Sequence, residues 1–186
     1  MIGPGGGTSR AQLRGRVLFC GINPGLMSAH TGYHFARPGN LPRSCARVVP
    51  PGPALHASGF TPRRFAPVEQ ADLLGLGLGV TDVAARATAR ADELSREELV
   101  EGGGLLAAKV AGHRPAWLAI LGVTAYRVAF AEPRAQVGPQ PRTLGDTRIW
   151  ALPSPSGLNA HWTPAALAEE FGRLRPAAPA PPAPRG

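Results

Sequence analysis

The segment VLFCGINPG, residues 17–25, is a short apolar run that leads directly into a turn. Apolar runs of this length are typical of strands buried on both faces of a parallel sheet. Residues 16–20 are therefore predicted to form the first buried strand. Asn-Pro-Gly is by itself a strong turn signal. Whether Asn23 also has a chemical role depends on the rest of the chain.

Strand-like and helix-like segments alternate beyond this point. Short apolar runs predict further strands at residues 79–81, 117–121 and 148–152. Residues 67–76 and 124–131 have the pattern of helices. Strands that alternate with helices imply a three-layer α/β/α sandwich around a mainly parallel central sheet.

Two further helices have marked starts. The tetrapeptide SREE from Ser95 forms a capping box, and the small or apolar residues after it share one helical face: Leu99, Gly103, Leu106 and Val110. Thr163 and Pro164 mark the start of the last helix, in which Leu167, Phe171 and Leu174 share one face. Both faces are predicted to pack on the sheet.

Two unusual loops follow predicted strands, GINPG at residues 21–25 and PSPSGL at residues 153–158. Ligands of parallel α/β sheets bind beyond the carboxyl ends of the strands. If the first and last strands are parallel, both loops lie on the same rim of the sheet. That rim is the predicted site.

Composition restricts the class of protein. The chain has 186 residues, of which 44% are hydrophobic, as expected for one globular domain. No apolar run is long enough for a membrane helix and no signal-peptide core is present, so we expect a cytoplasmic protein without a membrane partner. The two cysteines, Cys20 and Cys45, exclude a disulfide scaffold, a four-cysteine zinc site and a four-cysteine iron–sulfur cluster.

The formal net charge is +8, and Lys109 is the only lysine among the 20 basic residues. Such a charge attracts polyanions, including nucleic acid. An arginine-rich composition that merely reflects a GC-rich genome is an equally good explanation.

Sequence composition also predicts the domain boundaries. Residues 1–14 are rich in glycine and are expected to be a flexible segment, and residues 15–175 are expected to form one domain. Residues 176–186 form a Pro/Ala tail that is expected to be disordered.

Five segments, in order, resemble one family. GINPGLMSAHTGYHFARPGN, residues 21–40, resembles the first motif of the mismatch-specific uracil/thymine-DNA glycosylases, a bacterial branch of the uracil-DNA glycosylase superfamily. LPSPSGL, residues 152–158, resembles the second motif. GVTDV, LSREELVEGG and AILG are also similar to that family, and the resemblance extends from residue 16 to residue 174.

The resemblance implies a uracil-DNA glycosylase-like fold and a monofunctional DNA glycosylase. The enzyme would cleave the C1′–N1 bond of a flipped-out deoxyuridine opposite guanine in duplex DNA and so initiate base-excision repair. Thymine and ethenocytosine remain open as further bases. The resemblance implies neither a metal nor a cofactor, and we expect a monomer that acts at the bacterial nucleoid.

The resemblance also assigns roles to individual residues. Asn23 falls on the catalytic position, where an amide carbonyl can orient water toward C1′ but is not a strong base, so catalysis should be slow. The remaining assignments are Ile22 and Ser28 for contacts to the base, Phe35 for stacking on it, Leu158 for the wedge that fills the gap, and Gly157 and Asn159 for contacts to the widowed base. Structural roles, as a core aromatic for Phe35 and a buried loop anchor for Leu158, are the alternatives.

This chain departs from the family pattern at several positions. An Arg/Pro-rich segment, residues 41–52, intervenes after the first motif as an insertion or a local reading-frame error. Ser154 replaces an asparagine of some relatives, and Asn159 is followed by alanine rather than arginine. Asp92 occupies a position at which bacterial relatives carry Asn. We predict that Asp92 assists as a general base, with Asp82 a weaker candidate, and the alternative for Asp92 is a favourable charge near a helix start.

Two other functions remain open from the sequence. One is a module that binds damaged or mismatched DNA without cleaving it. The other is a metabolic nucleotide-binding α/β enzyme, which the missing phosphate-binding glycine loop disfavours.

Overall fold

A five-stranded sheet forms the centre of the molecule in the computed structural model, which describes residues 17–32, 52–66, 69–154 and 162–178. The strands are β1 (Val17–Gly21), β2 (Leu78–Asp82), β3 (Trp117–Leu121), β4 (Gly138–Leu144) and β5 (Thr147–Leu152). Their order is β2-β1-β3-β5-β4, in which the first four are parallel and β4 is antiparallel to β5. The predicted mainly parallel sheet is confirmed.

Helices cover both faces of this sheet. They are α1 (Leu26–Thr31), α2 (Gly52–Ala57), α3 (Asp72–Gly75), α4 (Arg96–His113), α5 (Val123–Ala129) and α6 (Pro164–Leu174). Residues of α2 and α6 share one core cluster with the sheet, and residues of α4 and α5 share the other. The architecture is the predicted three-layer α/β/α sandwich. In the part of the chain that the structure describes, no helix has the length and apolar character needed to cross a bilayer.

Strand β1 shows why the apolar run lacks alternation. Val17 and Phe19 belong to the core on the α2/α6 side, whereas Leu18 and Cys20 belong to the core on the α4/α5 side. Successive side chains of a strand point to opposite faces, so a strand covered by helices on both sides needs apolar residues at every position. All five residues of β1 are buried.

Both predicted helix starts are confirmed. The Ser95 hydroxyl accepts a hydrogen bond from the Glu98 amide at 3.1 Å, and the Glu98 carboxylate accepts one from the Ser95 amide at 2.8 Å. Thr163 caps α6 by accepting from the Ala166 amide at 3.1 Å. These bonds satisfy amides that the first helical turn leaves without partners.

Two predictions about elements differ from the structure. Residues 69–76 are the described part of the helix predicted over residues 67–76, and within them only Asp72–Gly75 is α-helical. Gly77, with a φ of +70°, lies two residues beyond its end. The sequence pattern also missed β4, because that strand is largely exposed and contains two prolines. Proline is tolerated on an edge strand, and β4 has a bulge between Pro139 and Thr143 where its register with β5 shifts.

Candidate active site

The candidate site lies at the carboxyl edge of the sheet, where the strand order reverses. The chain passes from β1 to β2 on one side, and later enters β3 on the other side of β1. Ligands of open α/β sheets bind outside the strand ends at such a switch point. Loop L1 (residues 22–25) leaves β1 here. Strand β5 is parallel to β3, so residues 153–154 leave the sheet at the same edge, as predicted.

Gly122, directly after β3, lies against L1. Its φ is +136°, and a Cβ atom added to it would lie 3.1 Å from Cδ1 of Ile22. Its amide donates to the carbonyl oxygen of Leu152 at 2.9 Å, which links the ends of β3 and β5. Glycine therefore permits both the backbone conformation and the close approach of Ile22.

A second loop, L2 (residues 83–90), leaves β2 and lies alongside L1. The amides of Val83 and Ala84 donate to the carbonyl oxygens of Gly21 and Ile22 at 3.0 and 2.9 Å. Further along, Gly25 and Thr88 form an isolated parallel bridge. The pairing of β1 with β2 thus resumes beyond the strands, and it fixes the two loops relative to each other.

Asn23 is half-buried in L1 and is held by L2. Its Nδ2 donates to the carbonyl oxygen of Arg86 at 2.9 Å and to Oγ1 of Thr88 at 2.6 Å. Thr88 is only 3% exposed, and its hydroxyl donates its own hydrogen to the carbonyl oxygen of Arg90 at 2.6 Å. Both hydrogens of the Asn23 amide are therefore used by L2.

These contacts determine which way the Asn23 amide points. A carbonyl oxygen only accepts hydrogen bonds, and the Thr88 hydroxyl has already committed its hydrogen. The NH₂ group of Asn23 must therefore face L2, and Oδ1 must face the other way. Within the described residues Oδ1 accepts no hydrogen bond, so it can receive one from water or from a ligand.

Helix α1 begins immediately after L1. The Ala29 amide donates to the carbonyl oxygen of Gly25 at 3.0 Å, and Ser28 lies on the same short helix. No atom of the described residues lies within 4 Å of a Cβ atom added to Gly25, so none of them fills the space beside it.

The side chain of Arg86 ties L2 to the first turn of α4. Its Nε and Nη2 donate to the two carboxylate oxygens of Glu98 at 2.5 and 2.9 Å, and Nη2 also donates to the carbonyl oxygen of Glu93 at 2.7 Å. The hydrogen bonds from Arg86, and next that from the Ser95 amide, lower the pKa of Glu98 to about 2. Glu98 is therefore a carboxylate over the whole physiological range.

A cleft of about 390 Å³ opens between L2 and α4, beside Pro24 of L1. Asp82, which is 8% exposed, and Lys109 both line it. The Lys109 ammonium group lies 3.3 Å from Oγ1 of Thr81. Behind the cleft, burial and then the charge of Asp82 raise the pKa of the Cys20 thiol, against the effect of Lys109. Cys20 is therefore an unreactive core thiol.

Asp92 lies in a short 3-10 turn, Ala91–Glu93, that follows L2. Both of its carboxylate oxygens accept hydrogen bonds from the Arg90 guanidinium group, and its side chain is 62% exposed. The Arg90 hydrogen bonds lower the pKa of Asp92, which makes it a weaker base. General-base action by Asp92 stays a prediction, and it requires this ion pair to open.

The remaining predicted site residues lie outside the described residues. They are Phe35, Gly157, Leu158 and Asn159, together with most of the Arg/Pro-rich segment at 41–52. Ser28 is placed only by its position in α1. No group of three or more His, Cys, Asp or Glu side chains that could hold a metal occurs in the segments that the structure describes.

Two residues of the site, Arg86 and Thr88, were not predicted from the sequence. They stand in an alanine-rich stretch, AARATA, residues 84–89. The only local signal is that polar side chains interrupt a run of alanines close to a strand end. Nothing in that pattern indicates a contact with Asn23.

By class, the molecule is an α/β/α protein in which L2 fixes the orientation of the Asn23 amide at the switch point of the sheet. A family model described as the uracil DNA glycosylase superfamily matches residues 9–175. The chain belongs to this superfamily, whose members are DNA glycosylases, that is, hydrolases that act on DNA. The resemblance seen in the sequence is thereby confirmed at the level of the superfamily, and its mismatch-specific branch stays a prediction.

Proposed function

We propose that this protein is a monofunctional, mismatch-specific DNA glycosylase that hydrolyses the N-glycosidic bond of uracil opposite guanine. The observation that carries the proposal is the orientation of the Asn23 amide. Its two hydrogens are bound by Arg86 and Thr88. No described residue donates to its Oδ1, which can therefore accept a hydrogen from water at the edge where ligands of this fold bind.

This geometry suits the chemistry of glycosidic hydrolysis. As the C1′–N1 bond breaks, its electron pair leaves with the uracil and positive charge develops on the sugar. A water whose hydrogen is accepted by Oδ1 presents a lone pair to C1′, bonds to it and gives up a proton to the solvent, and the departing uracil anion takes up a proton in turn. An amide aligns this water without abstracting its proton, so its contribution is placement. Asn23 can supply that placement because L2 restricts its rotation.

The chain offers one lysine side chain for a lyase step. Strand cleavage through a Schiff base requires an amine nucleophile. Lys109 is the only lysine of the chain. It lines the cleft between L2 and α4, and its ammonium group donates to Oγ1 of Thr81 at 3.3 Å. We expect that borohydride treatment during turnover will trap no protein–DNA adduct, and a trapped adduct would contradict the monofunctional assignment.

Single-turnover kinetics test the proposal. An end-labelled duplex with one U·G pair is incubated with excess protein, and abasic sites are scored by alkaline cleavage. We compare the wild type with Asn23→Ala, and we record the melting temperature of both proteins. Asn23 is half-buried at the loop surface, so the variant is expected to fold.

Each outcome has a clear meaning. Wild-type cleavage that Asn23→Ala reduces by about 100-fold or more supports both the activity and the role of Asn23. Activity that survives the substitution moves the catalytic role to Asp92 or Asp82. Wild-type protein that binds the duplex without releasing uracil is a binding module instead.

Specificity is tested with matched duplexes. The same assay on U·G, U·A, T·G and single-stranded uracil DNA measures the contribution of the opposite base. The proposal expects the fastest release from U·G. Equal rates on U·G and U·A would overturn the mismatch-specific assignment and leave a general uracil-DNA glycosylase.

A further inference from the structure

We infer that Arg86 is a positioning residue for Asn23, and that its ion pair with Glu98 holds the backbone carbonyl that orients the catalytic amide. This inference rests on the proposed function. Its structural basis is a continuous set of contacts that runs from the first turn of α4 to the Asn23 side chain.

The middle of L2 has few other restraints. The amides of residues 83, 84 and 88 donate to β1 and L1. Those of residues 85–87 donate to nothing within the part of the chain that the structure describes. The Arg86 carbonyl oxygen that Asn23 binds therefore belongs to a short stretch of backbone whose own amides donate no hydrogen bond within the described residues.

The Arg86 side chain supplies the missing restraint. It makes two hydrogen bonds to Glu98 and a third to the carbonyl oxygen of Glu93. Glu98 is fixed in turn, because its carboxylate also accepts from the Ser95 amide in the capping box of α4. A planar guanidinium group with several fixed donors suits this arrangement, and lysine could not reproduce it.

The competing role for a half-exposed arginine at this edge is contact with a DNA phosphate. The two roles make opposite predictions for Glu98. If Arg86 positions Asn23, loss of the Glu98 charge loosens L2 and slows the chemical step. If Arg86 binds phosphate, loss of that charge frees the guanidinium group and strengthens DNA binding.

The test measures Arg86→Lys and Glu98→Gln in two assays. The first is the single-turnover rate on a U·G duplex at saturating protein. The second is affinity for a duplex that carries uncleavable 2′-fluoro-deoxyuridine opposite guanine. Glutamine at this position keeps the capping box, so the variant removes the charge without removing the helix cap. We expect each substitution to lower the rate roughly tenfold and to leave the affinity within about twofold.

Arg63 provides a matched control. Arg63 donates two hydrogen bonds to Glu69 at 3.1 and 2.9 Å, and Glu69 also accepts from the Ala66 amide at 2.8 Å. The side chains of this pair are 53% and 33% exposed, against 51% and 32% for Arg86 and Glu98. No hydrogen bond of Arg63 reaches L1 or L2 within the described residues. Arg63→Lys should therefore leave both the rate and the affinity unchanged.

The effect must also act through Asn23. In an Asn23→Ala background, Arg86→Lys should cause no further loss of rate, because the group that it positions is absent. An equal loss in both backgrounds would show that Arg86 acts on the DNA or on the fold, and would overturn the inference.

A measurement that needs no activity separates this inference from the proposed function. The side-chain NH₂ resonances of Asn23 are assigned in a ¹⁵N correlation spectrum by their disappearance in Asn23→Ala. Arg86→Lys and Glu98→Gln should shift them, and Arg63→Lys should not. An inactive wild type would overturn the proposed function, whereas an active wild type with unchanged rates in Arg86→Lys would overturn only the inference.

Discussion

Thr88→Val isolates the orientation of Asn23 from the shape of the site. Valine has nearly the volume of threonine but lacks its hydroxyl group. Thr88 is 3% exposed, and its hydroxyl accepts from Asn23 and donates to the carbonyl oxygen of Arg90, both at 2.6 Å. The substitution therefore deletes two hydrogen bonds in a buried place and leaves the packing in position.

The magnitudes follow from these two bonds. At about 1 kcal/mol each, their loss lowers the free energy of unfolding by about 2 kcal/mol. For a domain of this size the melting temperature should fall by about 4–8 °C. Asn23 also loses one of the two acceptors that restrict its amide. If the roughly 1 kcal/mol of this bond is lost from the transition state, the rate should fall about fivefold.

A second buried threonine offers the control. Thr147 is 2% exposed, and its hydroxyl donates to the carbonyl oxygen of Pro115 at 2.6 Å. It lies at the amino end of β5, on the edge of the sheet opposite to L1 and L2. Thr147→Val should lower the melting temperature and retain the full rate, and Thr88→Ser should retain the rate because it keeps the hydroxyl group.

The assay is single-turnover release of uracil from a U·G duplex, well below the melting temperature of each variant. A wild-type rate in Thr88→Val together with a lower melting temperature would refute a role of the Thr88 hydroxyl in catalysis. In that case the hydroxyl of Thr88 would contribute to the fold, and the orientation of Asn23 would not limit catalysis.

Three further predictions concern stability and reactivity. The pKa of Glu98 is lowered from 4.5 to about 2, so its stabilising effect is complete above pH 4.5 and is lost as the pH falls through 2. The difference in melting temperature between the wild type and Glu98→Gln should therefore close between pH 4.5 and pH 2. A constant difference over that interval would contradict the lowered pKa. Gly102→Ala should lower the melting temperature, because its Cβ would collide with the carbonyl oxygen of Val83 in L2. Gly104→Ala should raise it through helix propensity, because no atom of the described residues lies within 4 Å of the added Cβ. A gain in both variants would disprove the close contact at Gly102. In the Cys45→Ser variant, a colourimetric thiol reagent at pH 8 should label Cys20 only after denaturant is added, because burial raises the pKa of its thiol. Rapid labelling of the folded protein would be evidence against a buried Cys20.

Much of the fold could be predicted because its signals are local. The run of residues 117–121 is apolar at every position, as a strand covered on both faces must be. The capping boxes and caps act over three residues, so Ser95 and Thr163 mark their helices without knowledge of the rest of the chain. In contrast, β4 is exposed and contains two prolines, and it exists because β5 pairs with it.

The candidate site was predictable only in part for the same reason. Asn23 could be identified because the motif around it is contiguous. Its two partners could not, since Arg86 and Thr88 lie 63 and 65 residues away along the chain. One of them contributes a backbone carbonyl oxygen, which every residue type possesses. A contact of that kind leaves no mark in the amino-acid sequence.

The resumed pairing of L1 with L2 makes the length of L2 matter more than its composition. Between the pair Gly21–Asp82 and the bridge Gly25–Thr88 the chain takes four steps on one side and six on the other. L2 therefore has two more residues than L1 over this interval, and the Arg86 carbonyl oxygen that Asn23 binds lies within it. One residue added or removed between Asp82 and Thr88 would break this register, whereas exchanges among the small residues there would not. Relatives that share the mechanism should therefore keep this number of residues, even where the residues between Asp82 and Thr88 differ.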